Sequence, residues 1–223
     1  MAKRVALTMV ERTMARRMLQ SAREIPQFSA TVEVNFDKVA AWRCRISRER
    51  RVSVTALFVW LTARALLKHP RLNAQFDDDA ILVHSNVNMA VAIETSEGLV
   101  APVIRKAETL SLSETAEVLK DLTDRATRKR LSLGDFKEAT FTISNLGMFG
   151  LTRFAPIINP PQAAILAVGA IRRVMQADEE GKPVVSQIVD LTVTADHRVL
   201  SGVEVALFLR TLRDSVETAE FVK

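Results

Sequence analysis

Of the three histidines, His69, His84 and His197, only His197 stands where an imidazole would meet a substrate. Asp196-His197-Arg198 follows an apolar, strand-like run and precedes Gly202, which puts the ring at a strand-to-helix turn. Such turns expose side chains at the edge of a sheet, and an imidazole there can take and return a proton near neutral pH. On spacing alone, a structural and a catalytic histidine remain equally open. His69-Pro70 reads as a helix end with the ring as a partner for the C-terminal dipole, and His84 as a strand residue. The three histidines show no metal-ligand spacing. The single cysteine, Cys44, excludes an intrachain disulfide and a cysteine-rich metal site, so no metal is expected.

A second segment carries a hydroxyl in a chemically useful place. Phe141-Thr-Ile-Ser144-Asn145-Leu-Gly147-Met-Phe-Gly150 reads as a strand running into a glycine-punctuated loop, with Ser144 at its end as a candidate donor. A buried hydroxyl satisfied by backbone would present the same pattern. Ile157-Ile-Asn-Pro160-Pro161-Gln162 then forms a rigid extended wall, conspicuous in a chain with only seven prolines. The tract 43–51, RCRISRERR, is the most charged segment. It reads as a solvated helix end and loop, or as a docking patch for an acidic partner or phosphates. No aromatic residues interleave with it, as nucleic-acid binding would favour.

The elements that must position these residues alternate between helix and strand. Thr8 and Glu11 form a capping box opening a helix with Met14, Met18 and Leu19 at helical spacing, and Ile25-Pro26 ends it. Phe28, Ala30, Val32, Val34 and Phe36 alternate with polar residues as a half-buried strand. Asp37 caps a second helix to about Ser47. A third runs over 53–68, apolar nearly all round and hence deep in the core. Strands are expected at 80–84, 87–93 and 99–104, with Glu97-Gly98 as a hairpin turn between the last two. Ser111 and Glu114 box a long helix to about Arg130, with Val118, Leu119 and Leu122 inward and a basic C-terminal end that complements its dipole. Strands at 139–144, 163–174 and 184–194 and a helix over 201–215 complete the chain. With no linker, repeat or low-complexity stretch, residues 1–223 read as one domain.

The formal charge of +5 is mild. It suits an anionic small molecule or acidic partner and does not nominate nucleic acid. Apolar runs stop well short of about 18 residues, so no membrane partner is expected. The start, Met-Ala-Lys-Arg, carries no apolar signal core. The expectation is a soluble cytoplasmic α/β protein, or a mitochondrial matrix protein if the chain is a trimmed eukaryotic core.

Four segments together resemble the catalytic core of the dihydrolipoyl acyltransferases of 2-oxo acid dehydrogenase complexes, closest in pattern to the pyruvate-type acetyltransferases. They are RTMARRMLQSAREIPQFSATVEVNF, VNMAVAIETSEGLVAPVI, FTISNLGMFGLTRFAPIINPPQAAILAVGAI and, from Asp196, DHRVLSG, similar to that family's D-H-R-x-x-D/N-G. They occur in the family's order over almost the whole chain. The resemblance implies a chloramphenicol acetyltransferase-like two-layer α/β sandwich with a mixed sheet. It also implies a homotrimer with sites between subunits, alone or within a larger cubic or dodecahedral core, engaging lipoyl domains and other subunits of the complex. His197 is then the general base on a thiol of coenzyme A or dihydrolipoamide, and Ser144 the oxyanion donor. An ordinary thiol (about 8.5) and imidazole (about 6.5) differ by roughly two pKa units, a gap of about 2.7 kcal/mol that a positioned pair can cross.

The chain departs from the family pattern at three points. Ser201 occupies the Asp/Asn position, leaving its role in the site open. Glu11 stands near the position where the family commonly carries Arg; it either belongs to the capping box or marks an Arg–acid pairing lost on both sides. No lipoyl domain and no peripheral-subunit-binding domain is expected in residues 1–223, so the lipoyl group would come from outside the chain. The alternative function is a weakly active or inactive scaffold of the same trimeric fold that organises partner enzymes.

Overall fold

A computed structural model describes residues 2–46, 52–178 and 180–222, with the side chain of Val222 left aside. The second half of the basic tract (47–51) and the terminal Lys223 lie outside the described residues.

Local signals build the helices. Helix α1 (Met9–Glu24) opens with the Thr8–Glu11 capping box closed in both directions. It leads into β1 (Gln27–Asn35) and α2 (Asp37–Arg45). Asp37 does not cap α2. Phe36 holds the cap position, and the Asp37 carboxylate accepts from the Gln187 amide at 2.8 Å, a long-range partner that outcompetes local capping. Helix α3 (Val54–Lys68), capped by Ser53, is buried along most of its length, from Leu57 and Phe58 to Leu66.

After a 3-10 turn at Pro70–Leu72 come β2 (Ala74–Asp77) and β3 (Ala80–Val83), a hairpin of which only the second strand is anticipated by pattern. The strand expected over 87–93 divides into β4 (Met89–Val91) and β5 (Ile93–Thr95). That over 99–104 divides at Ala101-Pro102 into β6 (Gly98–Val100) and β7 (Val103–Ile104), since Pro102 cannot donate to a ladder. The β5–β6 hairpin turns at Ser96-Glu97, one residue before the expected Glu97-Gly98, and Gly98 pairs with Thr95 as the first residue of β6 with a φ of 118°. Helix α4 (Leu112–Thr127) has its Ser111–Glu114 box and buries Leu119 and Leu122, but Val118 is exposed.

Strands β8 (Phe141–Asn145), β9 (Ala164–Val168), β10 (Arg172–Ala177) and β11 (Pro183–Asp196) finish the sheet, and α5 (Gly202–Thr218) closes the chain. The expected strand over 163–174 breaks at Gly169, where a Cβ would lie 1.9 Å from the Thr152 carbonyl oxygen. The main sheet runs β1-β11-β9-β8-β4-β7, with β10 on β11. It is mixed: β4, β8 and β9 are mutually parallel, the other pairs antiparallel.

Helices α3 and α5 share one core with the sheet through Phe58, Phe141, Leu166, Val193, Phe208 and Leu212. On β1 and β11 the intervening residues pair hydroxyl to hydroxyl, Ser29 with Thr194 at 2.8 Å and Thr31 with Thr192 at 2.9 Å. Those cross-strand pairs let Thr192 and Thr194 be buried without losing their hydrogen bonds. No helix among the described residues is long and apolar enough to cross a membrane.

Candidate active site

Strand β11 ends at Asp196, and its last turn is tied down before the histidine appears. The Asp196 amide donates to the Ala163 carbonyl at 2.8 Å and the His197 amide to the Pro26 carbonyl at 2.9 Å. Asp196, 1% exposed, receives Arg198 through the backbone amide (2.9 Å), Nε (3.0 Å) and Nη2 (2.7 Å). A buried carboxylate needs such a charged fork to offset its desolvation, and the same bonds raise the Arg198 pKa. The guanidinium lies 4.2 Å above the Phe76 ring. With both neighbours immobilised, His197 is left exposed, its ring packed 4.7 Å from that of Phe28. The imidazole makes no hydrogen bond to any described residue, so it is available to a group from outside the chain.

Ser144 lies one residue from the end of β8, opposite Ala167 of β9, half-buried. Its hydroxyl also has no hydrogen-bond partner among the described residues. The loop after it is organised by Asn145, whose role the turn density alone does not reveal. Its Nδ2 donates to Thr55 Oγ1 at 3.0 Å, and its Oδ1 accepts from the Gly147 amide at 2.9 Å. The loop then presents Met148, Phe149 and Leu151 to solvent.

The Pro160-Pro161 segment is held as expected of a wall. Ile158 is fully buried, its carbonyl accepting from Ser21 Oγ at 2.7 Å and its amide donating to Gln27 Oε1 at 3.1 Å, while Gln162 accepts from Thr142 Oγ1.

The sheet register separates the two candidate groups. Ser144 faces Ala167 and Ala195 faces Ala164, so Ser144 and Asp196 differ by four positions along the strands and by two strands across them. Strand geometry converts this to about 13 Å by about 10 Å, or roughly 16 Å in all. The chain therefore does not bring Ser144 and His197 within hydrogen-bond reach of each other.

The two residue departures from the family pattern, Ser201 and Glu11, both belong to capping boxes. Ser201 is the N-cap of α5: its Oγ accepts from the Glu204 amide at 3.3 Å and donates to Glu204 Oε2 at 2.9 Å, and its own amide donates to that oxygen at 2.8 Å. Burial opposes ionisation of Glu204, yet the Ser201 bonds and nearby Arg71 hold its carboxyl below the ordinary value. Glu11 accepts from the Thr8 amide at 2.6 Å, as its capping box requires.

The other histidines are engaged elsewhere. His69 ends α3, its Nε2 2.8 Å from Thr211 Oγ1 and its ring edge-on to Phe208. Burial, then the charge of Lys68, lowers its pKa, which weakens any role as a cationic dipole partner. His84 lies just past β3, where burial likewise lowers its pKa.

The profile of the family described as 2-oxoacid dehydrogenases acyltransferase (catalytic domain) matches residues 1–222. The dihydrolipoyllysine-residue acetyltransferase component of the pyruvate dehydrogenase complex of Rickettsia felis is 35% identical over 217 residues, 94% of this chain. A chloroplastic counterpart from Arabidopsis thaliana is 35% identical over 214 residues, 96% of this chain. The chain spans about half the length of these curated relatives, 52% and 46%.

Among solved structures, a probable dihydrolipoamide acetyltransferase from Listeria monocytogenes superposes with a TM-score of 0.94 at 30% identity, covering 97% of this chain and 95% of that one. The Azotobacter vinelandii dihydrolipoamide acetyltransferase, in which the role of a serine, a histidine and an asparagine in the catalytic mechanism was investigated, also scores 0.94, at 26% identity over 100% and 94% of the two chains. A chloramphenicol acetyltransferase scores 0.56 at 14% identity over 90% and 94%, a likeness of fold alone.

Proposed function

The chain belongs to the family of 2-oxoacid dehydrogenase acyltransferase catalytic domains, and from that premise we propose that it moves an acyl group, acetyl in the first instance, between dihydrolipoamide and coenzyme A. His197 takes the thiol proton. The thiolate attacks the thioester carbonyl, and the negative charge that develops on the carbonyl oxygen is met by the Ser144 hydroxyl. Collapse expels the second thiolate, which recovers the proton from the imidazolium. No acyl-enzyme forms, so Ser144 acts as a donor and not as a nucleophile.

The observation that carries the reading is that the side chains of His197 and Ser144 have no hydrogen-bond partner among the described residues, one exposed and one half-buried, while the side chains of Asp196, Arg198 and Asn145 beside them are bonded. The roughly 16 Å between Ser144 and Asp196, the residue before His197, supports a site built by two copies, as a homotrimer provides. The Azotobacter vinelandii protein has its investigated asparagine four positions after the histidine, the place Ser201 holds here. Asn, Asp and Ser are equivalent helix caps, which accounts for serine at that position without loss of the turn. The acetyl assignment rests on the pyruvate-dehydrogenase relatives. The lipoyl group arrives on a domain outside residues 1–223, and the protein works in the cytoplasm within a 2-oxo acid dehydrogenase complex.

The test is acyl transfer between acetyl-CoA and free dihydrolipoamide. Turnover by the chain, with losses of about 10² or more in both His197→Ala and Ser144→Ala, is the expected result. A folded oligomer without turnover on acetyl-, succinyl- or branched-chain acyl-CoA refutes the reading and leaves the scaffold in its place.

A further inference from the structure

The turn that presents His197 has a second half. Val199 and Leu200 donate their amides to the Asp196 carbonyl at 3.0 and 2.9 Å, closing the turn on itself, and Ser201 begins α5. Among the described residues, one side chain from outside the turn and α5 hydrogen-bonds to this segment, and it is Arg71. Its Nη2 donates to the Val199 carbonyl at 2.6 Å, and its Nε pairs with Glu204 Oε1 at 3.1 Å. The other Glu204 oxygen takes the amide and hydroxyl of Ser201. One planar fork thus holds the carbonyl two residues past the histidine and the carboxylate that closes the cap four residues past it. Arg71 is itself fixed, because its 3-10 turn follows α3 and is anchored by Leu72, 1% exposed.

We propose that Arg71 is a positioning residue for His197, acting through the Val199 carbonyl and Glu204 and touching no substrate. The proposal rests on the acyl-transfer reading. Proton transfer needs the imidazole within about 3 Å of the thiol, and a misplacement of about 1 Å can cost 10² in rate. Arg71 and Glu204 are partly exposed, at 50% and 32% of their side chains, so their pairing contributes little to global stability. The consequence falls on the turn's alignment instead.

The test compares Arg71→Met and Arg71→Lys with wild type, His197→Ala and Arg125→Met, which breaks an ion pair to Asp121 and Asp135 elsewhere. Steady-state kinetics use acetyl-CoA and dihydrolipoamide. Proton NMR follows the three imidazoles, the His197 signal being identified by its loss in His197→Ala. Arg71→Met is expected to lower kcat about tenfold or more with both KM values within about twofold, and to move the His197 signal. Lys, with a charge but no fork, gives an intermediate kcat, and Arg125→Met matches wild type.

An Arg71→Met protein with wild-type kcat and an unmoved His197 signal overturns the proposal while His197→Ala still upholds the acyl-transfer reading. Should Arg71→Met not fold, Arg71→Lys decides: a lowered kcat at constant KM supports the proposal, and wild-type kcat with an unmoved signal overturns it. Should wild type show no turnover, the acyl-transfer reading fails, and with it the proposal.

Discussion

If each site takes its histidine from one copy and its serine from another, two dead variants can make a live enzyme. His197→Ala and Ser144→Ala each remove one half of the pair and are expected to lose about 10² or more in rate. Co-expressed in equal amounts, they assemble at random. In a ring of identical head-to-tail interfaces there are as many sites as chains. A site is intact when the copy giving histidine is the Ser144→Ala chain and the copy giving serine is the His197→Ala chain. Each condition holds about half the time, so about one quarter of the sites are whole.

The mixed preparation should therefore show about 25% of wild-type acyl transfer, against about 1% for either variant alone. The register underlies this figure: Ser144 opposite Ala167 and Ala195 opposite Ala164 leave roughly 16 Å between Ser144 and Asp196, the residue before His197, in one chain. The assay is acetyl-CoA with free dihydrolipoamide on co-purified, doubly tagged oligomers. Activity no higher than the mean of the two variants, from oligomers shown to contain both chains, would refute the two-chain site.

Three further outcomes follow from specific contacts. Gly169→Ala must push the Thr152 carbonyl from 1.9 Å to an ordinary separation and disrupt the Ala170 amide bond to Leu151 O at 2.8 Å. Overpacking plus a lost bond predicts about 2–4 kcal/mol in denaturant unfolding, together with lower activity, since the loop leaves β8 beside Ser144. Ser201→Ala should cost about 1 kcal/mol by the same measurement, while Ser201→Asn, which keeps both an acceptor for the Glu204 amide and a donor for its carboxylate, stays within a few tenths and keeps its activity. The Asp135 carboxyl is held at about 2, against an ordinary 3.8, by its bond from Arg125, with burial opposing and Ser132 adding bonds of its own. A depressed carboxyl contributes stability above pH 3.8 that disappears as pH falls towards 2. Asp135→Asn should accordingly flatten the fall in thermal midpoint between pH 4 and 2; a slope equal to that of wild type would contradict this.

Features encoded within a few residues are readable from the chain alone. The boxes at Thr8–Glu11 and Ser111–Glu114 close their bonds within three residues, and the alternation in β1 and the all-round apolar α3 write their burial into consecutive residues, so pattern and structure agree. The strand breaks are not of that kind. Gly169 interrupts a continuous apolar run because a distant carbonyl presses on it, and Asp37 abandons its helix cap for an amide 150 residues away. The site divides in the same way. His197 and Ser144 stand out by residue type and turn context, whereas Asn145 and Arg71 work through partners far along the chain, Thr55 and Val199, which no spacing rule connects. Glu11 and Ser201, departures when compared with a motif, are ordinary members of capping boxes once their partners are visible.

The C-terminal end folds back on the chain. Phe221 packs edge-on against both Trp42 and Trp60, at 5.8 and 5.6 Å, with the Arg64 guanidinium over the Trp60 ring at 3.9 Å. The chain has no tyrosine and only these two tryptophans. Its near-ultraviolet absorbance and emission therefore come almost wholly from one corner, where α2, α3 and the last residues meet. A fluorescence melting curve tracks the undocking of that corner, and trimming the chain after Ala219 should alter the spectrum of a protein that is otherwise folded. Neither indole packs on His197, whose ring neighbour is Phe28, so an emission change on adding coenzyme A would be a signal relayed through the fold to the C-terminus.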